Sequence, residues 1–246
     1  MVGAFFFFMG QQSRNQFRIG MREIESQLLD IMNDVATGYY SSPGSFVCEA
    51  PPSAAVVPPT FPALGTPHDL GENAQCTFTG KIIHLSPNGN DELMNQYVLI
   101  GRRQVGNPGR DVRTLQDASP ALLEIGGSEY EQPINLPYGI SIASADADGS
   151  PIGSFAIASR YAGNAGLGGI SGTQDVDLIS IGVGYGANAS VVSSAVNGNL
   201  HTFPRSPNSG IVLCFNSGTT NQHAVLIIGG AGKQITTFMQ IEPGAC

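Results

Sequence analysis

The chain has 246 residues, 41% of them hydrophobic and only 12% charged, with a formal net charge of −8. That length allows one large domain or a domain with an extension, and the charged share is about half the ordinary one, so Ser, Thr, Asn, Gln and Gly must cover the surface. The acidic balance argues against a phosphate-binding face, and no nucleic-acid partner is expected.

The first ten residues, "MVGAFFFFMG", are apolar and include Phe5, Phe6, Phe7 and Phe8. As a helix they span about 15 Å, half of a bilayer core, and they lack the basic flank and cleavage site of a signal peptide. The block reads as the tail end of a longer hydrophobic helix. From Gln11 onward the pattern changes. Phe17, Met21, Ile24, Leu28, Ile31, Met32, Val35 and Tyr39 recur at gaps of mostly three and four, the period of an amphipathic helix. Arg14, Arg18 and Arg22 repeat every four residues on another face. No proline interrupts residues 1–42. The pattern predicts one continuous helix of about 35–40 residues over 1–42, long for a globular domain, ended by Gly38 and by a Pro43-Gly44 turn.

Residues 43–75 follow as a Pro-rich segment, "EAPPSAAVVPPTFPALGTPHDLGEN" at its centre. The prolines exclude helix and discourage central strand, so an extended surface loop is expected. Cys48 and Cys76 flank it. With Cys214 and Cys246 they make four widely spaced cysteines, a count that suits two disulfides in an oxidising compartment better than a metal site. Three pairings are open. The neighbour pairing closes the shortest loops, and each bridge would add roughly 3 kcal/mol.

Residues 76–246 read as a β-rich head. "CTFTGKIIHLS", "QYVLIGRRQV", "YGISIASA", "GSFAIASRY", "VDLISIGVGYG", "ASVVSSAV", "SGIVLCFNSG", "QHAVLIIGG" and "KQITTFMQIEPGAC" carry strand patterns with turn residues between them. Only "RTLQDASPALLEIG" suggests a short helix. The predicted fold is α+β: a long N-terminal helix, then an antiparallel, sandwich-like head.

Motifs for chemistry are sparse. There is no G-x-S-x-G elbow, no P-loop and no histidine pair at ligand spacing among His68, His84, His201 and His223. "GNAGLGG" at 163–169 reads as a turn, and "NAS" at 188–190 fits a glycosylation acceptor. Asp146 and Asp148, one residue apart before Gly149, could contribute to a calcium site, although an Asp-Gly turn is the favoured reading. No other cofactor and no catalytic residue is expected.

The layout resembles type IV pilins and pseudopilins. "IESQLLDIMNDVATGYYSSPGSFVC" is similar to the family's helix exit. "VLCFNSGTTNQHAVLIIGGAGKQITTFMQI" resembles the end of an H-type pseudopilin head, with Gly229 to Lys233 as the Gly-rich basic turn. The resemblance implies a non-enzymatic structural subunit of a pilus or pseudopilus, a minor or specialised one involved in assembly or attachment. Its partners would be other pilin subunits, the inner membrane before assembly, and a host or surface target. The assembly helix would carry Phe5, Phe6, Phe7, Phe8, Phe17, Met21, Ile24 and Leu28. It also implies display at the cell surface. The alternative is a membrane-anchored, disulfide-stapled secreted adhesin that does not polymerise.

Overall fold

The computed structural model describes residues 2–39, 46–50, 55, 57–62, 75–106, 108–159, 176–183, 185–205, 207–229, 237–244 and 246, with side chains from 11 onward. The fold is α+β, a long helix followed by antiparallel sheets. Helix α1 runs Val2–Thr37, 36 residues without a break. Gly38 ends it at φ 71. Its N–H bonds Val35 O, and the next N–H, of Tyr39, bonds Asp34 O at 2.8 Å. This pair of bonds satisfies the last carbonyls in a left-handed stop that favours glycine. The Pro43-Gly44 turn lies outside the described residues.

The strands are β1 Cys76–Leu85, β2 Leu93–Arg102, the short hairpin β3 Gln104–Val105 with β4 Arg110–Asp111, β5 Ala121–Leu122, a second hairpin β6 Glu124–Ile125 with β7 Ser128–Glu129, β8 Glu131–Asn135, β9 Ile140–Ala147, β10 Ser150–Pro151, β11 Ser154–Ser159, β12 Val176–Ile181, β13 Ile211–Ser217, β14 Gln222–Ile228 and β15 Thr237–Pro243. Helix α2, Leu115–Ala118, lies between β4 and β5, and α3, Ala189–Val196, follows β12. The first sheet has the order β12-β11-β1-β2-β5, and β8 shares the outer edge of β2. The second has the order β10-β9-β13-β14-β15.

The first sheet is covered on both faces. Ile83, Leu85, Phe155 and Leu178 join the cluster under α1, whereas Ile82, Tyr97, Ala156 and Ile179 join a second cluster with Val192 and Val196 of α3. This explains why β1 and β2 read as continuous apolar runs rather than alternating ones. The second sheet buries one face, and β9 keeps its phase by a bulge opposite Cys214 and Phe215. Ile140 and Ile142 point inward before the bulge, Ala145 and Ala147 after it.

Both disulfides form between neighbours, Cys48–Cys76 and Cys214–Cys246, with Cα atoms 6.3 and 6.1 Å apart. Two expectations are corrected. "ASVVSSAV" is helix α3, because Asn188 caps it through Oδ1, which accepts from Val191 N at 3.1 Å, and Val192 and Val196 stack one turn apart into the core. The Pro-rich segment is not a detached surface loop at its start. Phe46, Val47, Cys48 and Ala50 are buried, and Glu49 and Thr60 exchange backbone hydrogen bonds at 2.9 Å.

Candidate functional site

Helix α1 is the element on which a function can be built, and its two faces differ. The inner face carries Phe17, Met21, Ile24, Leu28, Ile31, Met32 and Val35, all buried. Each such side chain contributes about 1.5–3 kcal/mol relative to exposure. The helix touches β1, β11 and β12 of the first sheet and β14 and β15 of the second, so it ties the two sheets together. Phe17, Met21, Ile24 and Leu28 therefore hold the helix to its own head. They belong to the assembly helix expected from the sequence, of which they form the part packed on the head. The side chains of Phe5 to Phe8 lie outside the described residues, while the helical backbone continues through them.

Two polar contacts fix the helix in register. Lys81 Nζ, on the buried face of β1, donates to Asp34 Oδ2 at 2.7 Å. Thr237 Oγ1, at the start of β15, donates to Glu25 Oε1 at 2.9 Å. Nearer the N-terminus than either, Gly20 allows a close approach. A Cβ there would stand 2.6 Å from Ile140 Cδ1 and 3.0 Å from the Tyr138 ring, which is why a residue that weakens a helix interior occupies this turn. Sequence periodicity cannot reveal these three contacts, since each depends on the strand that the helix meets. Gly20 inside an otherwise regular helical pattern was the only visible signal.

The outer face is polar and charged. Arg14, Arg18, Arg22, Glu23 and Asp30 are exposed, and so are Ile19 and Leu29, at 56% and 43%. Arginines at i, i+4 repel by about 0.2–0.5 kcal/mol per pair. None of the three makes an ion pair or side-chain hydrogen bond with a described residue.

The remaining candidates have structural roles. Asp148 Oδ1 accepts from Ser209 N and Oγ at 2.9 and 2.8 Å, and Oδ2 accepts from Asn208 N at 3.2 Å. The Ser209 backbone bond is the main reason that its carboxyl stays below the usual aspartate range. Asp146 sits in the β9–β10 turn pairing opposite Pro151 and Val212. Asp148 thus braces a turn, and among the described residues there is no group of three or more His, Cys, Asp or Glu that could hold a metal ion. His84 is fully buried, bonding Ser154 Oγ and Ala187 O at 2.8 Å each. His223 Nε2 lies 3.7 Å from Glu242 on the outer face of the second sheet. His68, the 163–169 segment and Lys233 lie outside the described residues. Arg102, half of the one basic pair in the head's sequence, is 1% exposed and donates to the Gln104 and Ala55 carbonyls. Burial draws its guanidinium below the usual value, with Asp117 opposing. That removes it from any surface basic patch.

Comparisons with protein-family profiles, with curated protein sequences and with solved structures return no match to this chain. Among the described residues, no helix is long and apolar enough to cross a membrane.

Proposed function

We propose that this chain is a structural subunit of a type IV pilus or pseudopilus, a minor or specialised one that serves assembly or surface attachment. One observation supports this above the others. The helical backbone of α1 runs from Val2, and among the residues whose burial is described, 11 onward, the first buried one is Phe17, so about 9 Å of described helix precede the docking face. Residues 11–16 contribute no buried side chain. A helix anchored by one half and extended by the other suits a subunit that shares its extension with neighbouring copies.

In this reading Phe5 to Phe8 leave the inner membrane for a bundle of helices. Lipid is already apolar, so tighter packing rather than burial drives the transfer. The head, two sheets held in a sandwich-like arrangement by α1, is displayed at the cell surface. Its disulfides suit an oxidising exterior. Residues with catalytic geometry are not needed for this role.

The test is Phe7→Asp in cells that assemble the filament. A charge at this position blocks packing in an apolar bundle, so filaments should lack the subunit while the folded head is still produced. Normal incorporation of the variant overturns the reading. A wild-type protein that stays monomeric on the membrane favours the non-polymerising adhesin.

A further inference from the structure

The first sheet's outer edge borders a cleft for which the filament role has no use. It measures about 410 Å³ and lies between the proline strip 57–62 and the surface made by β5, β6 and the end of α3. Pro58, Pro59 and Phe61 line it from the strip, and Ala121, Glu124 and Asn197 line it from the head. Its size is that of a small-molecule site. The walls are fixed by contacts of their own. Thr60 and Glu49 exchange backbone hydrogen bonds at 2.9 Å, and the Phe61 ring packs 6.5 Å from that of Phe46. Asn197 Oδ1 accepts from Leu122 N and its Nδ2 donates to Ser193 Oγ, both at 2.9 Å. The charge around the cleft is one-sided. Glu124 stands directly opposite Glu129 in the β6–β7 hairpin, and like charges so paired repel. Glu49 stands opposite Thr60 on the strip. None of these three carboxylates makes an ion pair or side-chain hydrogen bond with a described residue. Glu131, by contrast, accepts from Asn95 Nδ2 and the Tyr97 hydroxyl. Asn197 also caps the C-terminal end of α3, the end at which a helix carries negative partial charge. Among the described residues that line the cleft there is no Lys or Arg.

We infer that this cleft binds a methylated ammonium ion of the choline type, with Glu124 as its counter-ion and the Phe61 and proline rings as its apolar wall. The inference goes beyond the filament role and does not depend on it, because a single copy of the chain holds the whole site. Chemistry selects the ligand class. A calcium-type ion needs roughly six to eight oxygen ligands, whereas much of this wall is proline and phenylalanine carbon. A primary ammonium carries N–H donors that each need an acceptor, and the Asn197 carbonyl already accepts from Leu122. A quaternary ammonium has no N–H to satisfy. It spreads its charge over methyl groups that pack against carbon, and it is attracted both by an aromatic ring face and by a nearby carboxylate. Its charge also offsets the repulsion between Glu124 and Glu129, which no described cation relieves.

The test titrates the full-length chain, in a nonionic detergent, with choline chloride, ethanolamine hydrochloride and sodium chloride at matched ionic strength. Binding is read from the backbone amide shifts of Ala121 and Asn197 and from the melting temperature. Choline should saturate those shifts and raise the melting temperature. Ethanolamine, the same molecule without the methyl groups, should bind at least about fivefold more weakly. Glu124→Gln should weaken choline at least about tenfold, while the ligand-free variant melts no lower than the wild type because the repulsion from Glu129 is relieved. Glu129→Gln should weaken choline less, since its carboxylate stands one strand further from the cleft. Shifts that do not saturate, or that sodium reproduces, overturn the site. So does ethanolamine binding as tightly as choline, an unchanged choline affinity in Glu124→Gln, or a larger loss in Glu129→Gln than in Glu124→Gln. Saturable shifts of the same amides by maltose, in place of choline, assign the cleft to a neutral sugar and overturn the cation. All of these outcomes leave the filament reading where Phe7→Asp puts it.

Discussion

The Lys81–Asp34 pair behaves asymmetrically because its two ends see different surroundings. The Lys81 side chain is 3% exposed and that of Asp34 is 31% exposed. Removing the aspartate strands a buried ammonium, whereas removing the lysine leaves a carboxylate that water can reach. Asp34→Ala should therefore cost about 3 kcal/mol in urea unfolding, and Lys81→Met about 1 kcal/mol or less. Equal costs for the two would show that the pair is not desolvated as described. Gly20 gives a second test with an unusual sign. Alanine raises helix propensity by about 1 kcal/mol, but here its methyl group would press on Ile140 and Tyr138. Overpacking of this kind costs about 1–3 kcal/mol, so Gly20→Ala should lower the melting temperature. Neither residue could be assigned from the sequence. Lys81 reads as an exposed charge in a strand pattern, and only the register of β1 under α1 turns it inward. Gly80, beside it, marks a bulge between Phe78 and the rest of β1. It adopts φ 153 with the Ile157 carbonyl 2.2 Å from where a Cβ would stand.

At the level of elements, the long helix was the most legible feature because seven core positions repeat at its period without a proline. The strands were legible for a different reason: glycine-rich turns separate their apolar runs. The misread element, α3, is instructive. Its valines favour a strand by composition, but Asn188 offers a cap that begins a helix, and local capping outweighed propensity in so short a segment. The loop around Asn208 and Ser209, between the buried Pro207 and Gly210, is tied back by Asp148. Its carboxyl is held below the usual aspartate value, so the tether is intact above that value and is lost as pH falls through the lowered one. Protection of the Asn208 and Ser209 amides, measured relative to the intrinsic exchange rate at each pH, should persist at pH 5 and fall only below about pH 4. Loss of that protection near neutrality would contradict the tether. Asp117 follows the same sign. Burial raises its pKa, but the Arg110 ion pair, the Arg113 N–H and Thr114 outweigh that cost.

At the scale of the whole molecule the head is clamped to the half of α1 that carries Phe17 to Val35, and two covalent links reinforce the head. Cys214–Cys246 fixes the chain end to β13. Replacing both of its cysteines with serine should remove about 3 kcal/mol of stability, measured as a lower urea midpoint. An unchanged midpoint would mean that the bridge constrains little. Cys48–Cys76 has a mechanical consequence of its own. It joins the segment just past α1 to the first residue of β1, the central strand of its sheet. Tension arriving through the rod would load the row from Phe17 to Val35 in shear and then pass by way of sulfur straight into the middle of the sheet. The 28-residue separation between the two cysteines stays out of the force path. Under a reductant the same pull would reel out roughly 90 Å of slack before the sheet bore any strain.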